Sequence, residues 1–290
     1  MSKNKEGKRV KNMDALHLVM ANIFPNRCDN EVYIQKKFDV TEIMNYVKTY
    51  NSSEDAEFKM TPFHFFVHAA GKLVYHKPLL NRYIQGRRFY DRNEIKLSFI
   101  VRRDFQEISK EILMILPMKA DMTIMDTCKE IIGDTTRLRE DQSGAVNSTM
   151  EFYRKLPRFA QMLMAKVFRW MDFYNIVPES VRKGDTNYSS VLLSNLGSVK
   201  CDAPYHHLYN YGSLSIVMTI GEIHKEPVFK EDGSVDFREM VEFGITLDER
   251  IADGFYFARC AEVLKAYIEN PKLLLAPIKD KTGYEDLLQG

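Results

Sequence analysis

His64 and His68 stand four residues apart in a segment with helical periodicity. That spacing places two imidazoles on one helix face, an arrangement that can hold a metal ion. No glutamate adjoins His64 and no third ligand stands out, so no metal is expected and two core histidines are the plainer reading. His206 and His207 follow Pro204 in a turn-rich stretch. They read either as a catalytic pair or as a loop-packing pair. The four cysteines, Cys28, Cys128, Cys201 and Cys260, are far apart and form no C-x-x-C, which argues against a zinc ribbon or a dithiol redox site. Reduced, mostly buried thiols are expected. No glycine-rich dinucleotide loop, no phosphate-binding P-loop and no G-x-S-x-G elbow is present.

The elements that must carry these residues can be read from periodicity. Val32, Ile34, Lys36 and Phe38 share one face of a strand, and Asp39 or Thr41 can cap a helix through Ile43, Met44 and Val47. Pro62 sits in the first turn of a helix with an apolar stripe from Phe63 to Val74. Ile95, Leu97, Phe99 and Val101 alternate as a strand, and Asp121 or Thr123 can open a helix through Ile132. Between residues 145 and 183 lies a Met- and aromatic-rich helical insertion. Phe159, Leu163, Val167, Trp170 and Tyr174 share one of its faces, and Arg158, Lys166 and Arg169 mark a basic side. It reads as a core or oligomer-packing helix, with a lid or a membrane-surface helix as alternatives. Strands follow at Tyr188 to Leu193, Leu214 to Ile220, and Val241 to Leu247. A D-G turn joins Val228-Phe229 to Val235-Phe237, and a helix runs from Gly254 until Asn270-Pro271.

The 290 residues are 45% apolar and 28% charged, enough for a large core and too apolar for a disordered chain. Lys+Arg is 41 against 40 Asp+Glu, so no electrostatic case exists for nucleic acid as a partner. No apolar run approaches the roughly 18 residues of a membrane span, and membrane contact is not expected. Residues 1–12 read as a polar, basic, solvated arm without the apolar core of a secretory signal. One α/β domain over residues 13–275, with the insertion at about 145–183 and a tail at 276–290, is the expected organisation, in a cytoplasmic protein.

The segment Thr246-Leu-Asp-Glu-Arg-Ile-Ala-Asp-Gly resembles the H-x-x-x-D-G signature of the acyltransferase core of 2-oxo-acid dehydrogenase complexes and of chloramphenicol acetyltransferase. Ser194-Asn-Leu-Gly, after a hydrophobic run, looks like that family's oxyanion-stabilising serine segment. The ending Val263 to Leu275 is similar to the core's last helix, and Met60 to Asn81 to its early helix. The likeness covers roughly residues 8–140 and 186–275. It implies a two-layer α/β sandwich of the CoA-dependent acyltransferase type, a mixed sheet with helices, in a homotrimer that can assemble further into a cage. It implies acyl transfer from an acyl-CoA to a thiol, hydroxyl or amine through a tetrahedral intermediate. No lipoyl attachment domain is apparent in this chain, which reads as a free-standing core.

Carried over residue by residue, the resemblance assigns Ser194 to the oxyanion, with Asn195 beside it, and Asp253 to an ion pair that fixes the loop next to Arg250 and Gly254. The signature histidine, the family's general base, is replaced by Glu249. A free thiol has a pKa of about 8.5, a glutamate about 4.3 and a histidine about 6.5. Proton transfer to glutamate is therefore uphill by roughly 4 units, or about 5–6 kcal/mol, against about 2 units for histidine. Burial of Glu249 narrows that gap, whereas an ion pair with Arg250 widens it. Two readings follow. One is an acyltransferase with Glu249 at the base position; the other is an inactive homologue serving as an oligomeric scaffold or acyl-CoA-binding protein. In a trimer with an interfacial channel, His206 and His207 are the other candidate bases.

Overall fold

The computed structural model describes residues 6–102, 111–140 and 153–286. β1 is Gly7–Arg9, α1 Ala15–Ile23, β2 Glu31–Asp39, α2 Thr41–Asn51 and α3 Pro62–His76. β3 is Arg82–Gln85, β4 Arg88–Arg92, β5 Ile95–Arg102, β6 Glu111–Met118 and α4 Ile124–Glu140. α5 is Arg158–Phe173, α6 Glu179–Arg182, β7 Val191–Asn195, β8 Ile216–Ile220, β9 His224–Phe229, β10 Val235–Asp248 and α7 Gly254–Glu269.

The large sheet runs β2-β10-β8-β7-β5-β6, with β9 also on β10. β5, β7 and β8 are parallel neighbours and the remaining pairs are antiparallel. This is the mixed sheet with helices expected from the sequence. One face is apolar because alternate residues point to it: Val191 and Leu193 of β7, Ile216, Met218 and Ile220 of β8, and Phe243, Ile245 and Leu247 of β10 all join one core. α2, α3, α4 and α7 bury their apolar stripes there. Capping explains where two of these helices start. In α3, Pro62 occupies the first turn and the Thr61 N–H donates to His64 Nδ1 at 3.1 Å. In α4, Thr123 and Asp126 exchange bonds between backbone N–H and side chain at 2.8 and 3.3 Å.

The opposite face is the more polar one: it carries the loop from Lys200 to Ser215, with a small apolar cluster of Leu192, Leu208, Leu214 and Val217 beneath it. Three arginines tie this side together by donating to backbone carbonyls. Arg27 reaches the carbonyls of Ile84 at 2.7 Å and Gly212 at 2.6 Å; Arg92 reaches those of Tyr188 and Ser189; Arg250 reaches those of Phe24 and Pro25. The planar guanidinium, with five donors, suits this clamping of several strands of backbone at once.

Several expectations change. The arm read as solvated contributes β1, which pairs with β4 in a second, three-stranded sheet of order β1-β4-β3. Its β3–β4 hairpin turns on Gly86 and Arg87, both at positive φ. Val235-Phe237 and Val241–Leu247 are one continuous strand, β10, and the strand expected from Tyr188 starts at Val191. Cys128 and Cys260 are buried, their thiols pushed up to about 12 by desolvation, but Cys28 and Cys201 are exposed. The described part of the tail is docked. Ile278 is buried, its N–H bonds the Met122 carbonyl, and Lys72 Nζ and His76 Nε2 bond the carbonyls of Pro277 and Ile278.

In the insertion, α5 forms where expected, but the stripe points outward. Phe159 is 74% exposed, Leu163 61% and Trp170 56%. The helix is held by its other side: Asp172 accepts from Tyr188 Oη at 2.7 Å and from the Gly212 N–H at 3.0 Å, and Phe168 packs edge-on against Tyr211. The core-packing reading fails for the single chain because a buried aspartate, not the aromatic stripe, anchors the helix. Residues 145–152 of the insertion lie outside the described residues.

Candidate active site

Ser194 is the fourth residue of β7, half-buried, on the polar face with Leu192. Its hydroxyl makes no hydrogen bond to any described residue and is free to donate. Asn195 points the other way, into a cavity of about 700 Å³ between the start of α3, the middle of α4 and the ends of β7 and β8. Phe63, Phe66, Phe99 and Ile131 give it apolar walls, and the exposed Lys59 stands at its rim. The turn after Asn195 depends on Gly197. A Cβ there would come within 2.4 Å of the Gly221 carbonyl oxygen, so only glycine lets β7 and β8 stay close beyond their ends.

At the far end of β10, Asp248 and Arg250 are both fully buried and form a two-point ion pair, Nε–Oδ1 at 2.8 Å and Nη2–Oδ2 at 2.7 Å. Asp248 also accepts the Arg250 N–H. Arg250 is thus committed to Asp248 and to the Phe24 and Pro25 carbonyls and does not pair with Glu249. Glu249 is half-buried and makes no hydrogen bond or ion pair with any described residue. The turn is fixed by Asp248, not by Asp253. Asp253 is exposed and serves as the N-cap of α7, accepting the Tyr256 N–H at 2.7 Å. Gly254 opens that helix, and a Cβ there would meet nothing within 4 Å.

The structure keeps Ser194 and Glu249 apart. Ser194 lies opposite Thr219, and Thr219 lies opposite Gly244. Glu249 is five residues beyond Gly244. At about 3.3 Å per residue and about 4.8 Å between strands, the two α-carbons are on the order of 19 Å apart. Within one chain the two residues therefore lie at opposite ends of the sheet.

The remaining candidates are accounted for locally. His64 is in the α3 cap, and His68 Nδ1 bonds Thr127 Oγ1 at 2.8 Å. Desolvation lowers their pKa values to about 4 and about 3, so both rings are neutral. Among the described residues, no group of three or more His, Cys, Asp or Glu is placed to hold a metal ion. None of their helices is long and apolar enough to cross a membrane. Sequence reasoning missed Asp248 as the buried partner of Arg250; two residues of opposite charge flanking a turn were the available signal.

The fold is that of the catalytic cores of dihydrolipoamide acetyltransferases and of chloramphenicol acetyltransferase. A probable dihydrolipoamide acetyltransferase from Listeria monocytogenes superposes with a TM-score of 0.58 at 15% identity, over 91% of this chain and 95% of that one. The Azotobacter vinelandii dihydrolipoamide acetyltransferase gives 0.59 at 14% identity, over 92% and 94%. A chloramphenicol acetyltransferase gives 0.56 at 12% identity, over 90% and 99%. Within that fold, residues 178–276 match the model of the 2-oxoacid dehydrogenases acyltransferase catalytic domain, so the resemblance read from the sequence is shown. The lipoamide acyltransferase component of the mitochondrial branched-chain alpha-keto acid dehydrogenase complex of Arabidopsis thaliana is 32% identical over 104 residues, 35% of this chain. The match spans a fifth of that protein's length.

Proposed function

We propose that the protein transfers an acyl group from an acyl-CoA to a thiol, hydroxyl or amine, at sites shared between copies of the chain in a homotrimer. The carrying observation is the split geometry. Ser194 and the Glu249 turn occupy opposite ends of one face, so a copy related by rotation can bring the Ser194 end of one chain to the Glu249 end of the next. Ser194, with its hydroxyl unengaged, would donate to the tetrahedral oxyanion. The Asp248–Arg250 pair would hold the opposing turn, and Asp253 the start of α7.

The test is release of free CoA thiol from short and medium acyl-CoAs, with dihydrolipoamide, simple alcohols and amines as acceptors and mass spectrometry of the products. Turnover is expected, with kcat/KM down about 10²–10³-fold in Ser194→Ala. Light scattering is expected to give three chains per particle. Full activity in Ser194→Ala, or a monomer with full activity, would overturn the reading. The partnerless Glu249 favours a second reading, a catalytically silent scaffold. Its signature would be a silent wild type and turnover appearing in Glu249→His.

A further inference from the structure

The signature position holds a carboxylate, yet the polar face carries two imidazoles that the proposed site has not used. Their place is fixed by the hydrogen bonds of the loop that bears them. The Pro204 carbonyl accepts from Thr219 Oγ1, level with Ser194. The Tyr205 ring packs against Tyr33, 5.1 Å between centroids, and Tyr33 lies opposite Thr246. The Leu208 N–H donates to Glu31 Oε1, and Glu31 lies opposite Asp248. Asn210 Oδ1 accepts the Arg27 N–H at 2.8 Å, and Arg27 also holds the Tyr209 carbonyl. The loop therefore descends the face from the Ser194 level to the Glu249 level. His206 and His207 fall between the rungs of Thr246 and Asp248, the residue just before Glu249.

The local chemistry suits a base. His206 Nδ1 lies 2.8 Å from the His207 carbonyl oxygen. A carbonyl only accepts, so Nδ1 carries the proton in that bond and the lone pair of the neutral ring is on Nε2. The ring is half-buried and stacked on His207 at 4.8 Å, and His207 meets Tyr209 edge-on at 4.9 Å. The ionisable groups in ring contact with it are His207 and Tyr209; Glu31, Tyr33 and Arg27 hold neighbouring residues of the loop.

We propose that His206, on the loop crossing the polar face, is the general base of the acyl transfer in place of the residue at the signature position, Glu249. The inference rests on the acyltransferase reading above. His206 Nε2 takes the proton of the acceptor thiol as its sulfur bonds the acyl carbonyl carbon. The oxyanion rests on Ser194 of the neighbouring copy. As the intermediate collapses, the bond to the CoA sulfur breaks and the imidazolium returns the proton to that leaving thiolate. Thioester and thiol are exchanged and His206 ends neutral.

The experiment is acyl-CoA thiolysis by the full chain, with kcat/KM measured from pH 5 to 9 for wild type, His206→Gln, His207→Gln and Glu249→Gln. Glutamine can still donate to the His207 carbonyl, so the loop is retained; circular dichroism and particle mass check it. His206→Gln is expected to lose about 10²–10⁴-fold in kcat/KM and the imidazole-range limb of the pH profile. Glu249→Gln is expected to lose less than His206→Gln and to keep that limb of the profile. Active wild type with His206→Gln unchanged would overturn the assignment and leave acyl transfer standing. Such a loss in Glu249→Gln alone would return the base to the signature position. A wild type that turns over no acyl thioester would overturn the acyltransferase reading and the assignment with it.

Discussion

The two faces of the large sheet bury polar groups by opposite means. On the helix-covered face, His64, His68 and Lys72 of α3 sit among Phe65, Phe66 and Leu73, and the imidazoles are driven neutral by desolvation. On the other face, charges are kept and matched. Asp248 and Arg250 pair in full burial, and Arg27, Arg92 and Arg250 fill backbone carbonyls. The apolar face is an interior that tolerates exchange of similar volumes. The polar face is a fixed scaffold on which a loop, a free serine hydroxyl and a turn are held in register.

The largest test of that contrast is at Arg250. Asp248→Asn or Arg250→Met should lower unfolding free energy by about 3–5 kcal/mol, because each strands a buried charge. Arg250→Lys should forfeit most of the same amount, since an ammonium cannot span Asp248 and two carbonyls together. On the apolar face Phe65→Leu should cost under about 1.5 kcal/mol. Urea unfolding of the four variants decides the matter; equal losses for Arg250→Lys and Phe65→Leu would erase the distinction.

Little of the polar face was legible in the chain. Alternation marked β2 and β5, the D-G pair marked the β9–β10 hairpin, and Asp253-Gly254 marked the start of α7. These are local signals, with donor, acceptor and turn a few residues apart. Arg27 bonds Gly212 across 185 positions, and no periodicity announces such a bond. The same holds for α5: spacing reveals a stripe but not which side the body holds, and here buried Asp172 decides it. The location of Ser194 was readable by likeness to a family. Its distance from Glu249 needed the strand register.

Next in size is Ser194→Ala. It should reduce kcat/KM about 10²–10³-fold, or about 2.7–4 kcal/mol of barrier, while unfolding free energy changes by less than about 0.5 kcal/mol. The hydroxyl is unengaged in the folded chain, so its loss leaves no partner unsatisfied. A stability loss above about 1 kcal/mol would mean the serine belongs to the scaffold and not to the chemistry.

The apolar face should betray itself through pH. His64 and His68 fall from an ordinary value near 6.5 to about 4 and about 3 on folding. The unfolded chain then binds more protons below pH ~6.5, so the stability contributed by keeping these rings neutral is complete above that pH and lost as pH falls towards the folded values. Each ring should add a slope approaching about 1.4 kcal/mol per pH unit across that window. His68→Gln, which can still bond Thr127, should flatten the decline between pH 6 and 4. An unchanged decline would show that His68 is solvated enough to titrate normally.

The smallest effect is expected at α5, a helix whose apolar stripe neither face covers. Leu163 is 61% exposed, and Leu163→Gln should shift unfolding free energy by less than about 0.5 kcal/mol. Leu264 of α7, equally apolar but 1% exposed, should lose about 2–5 kcal/mol on truncation to alanine. The pair separates a residue that packs from one that only matches a helical pattern. A Leu163→Gln loss above about 1 kcal/mol that grows with protein concentration would show the stripe to be interior in an assembly, and α5 would then belong with the packed face.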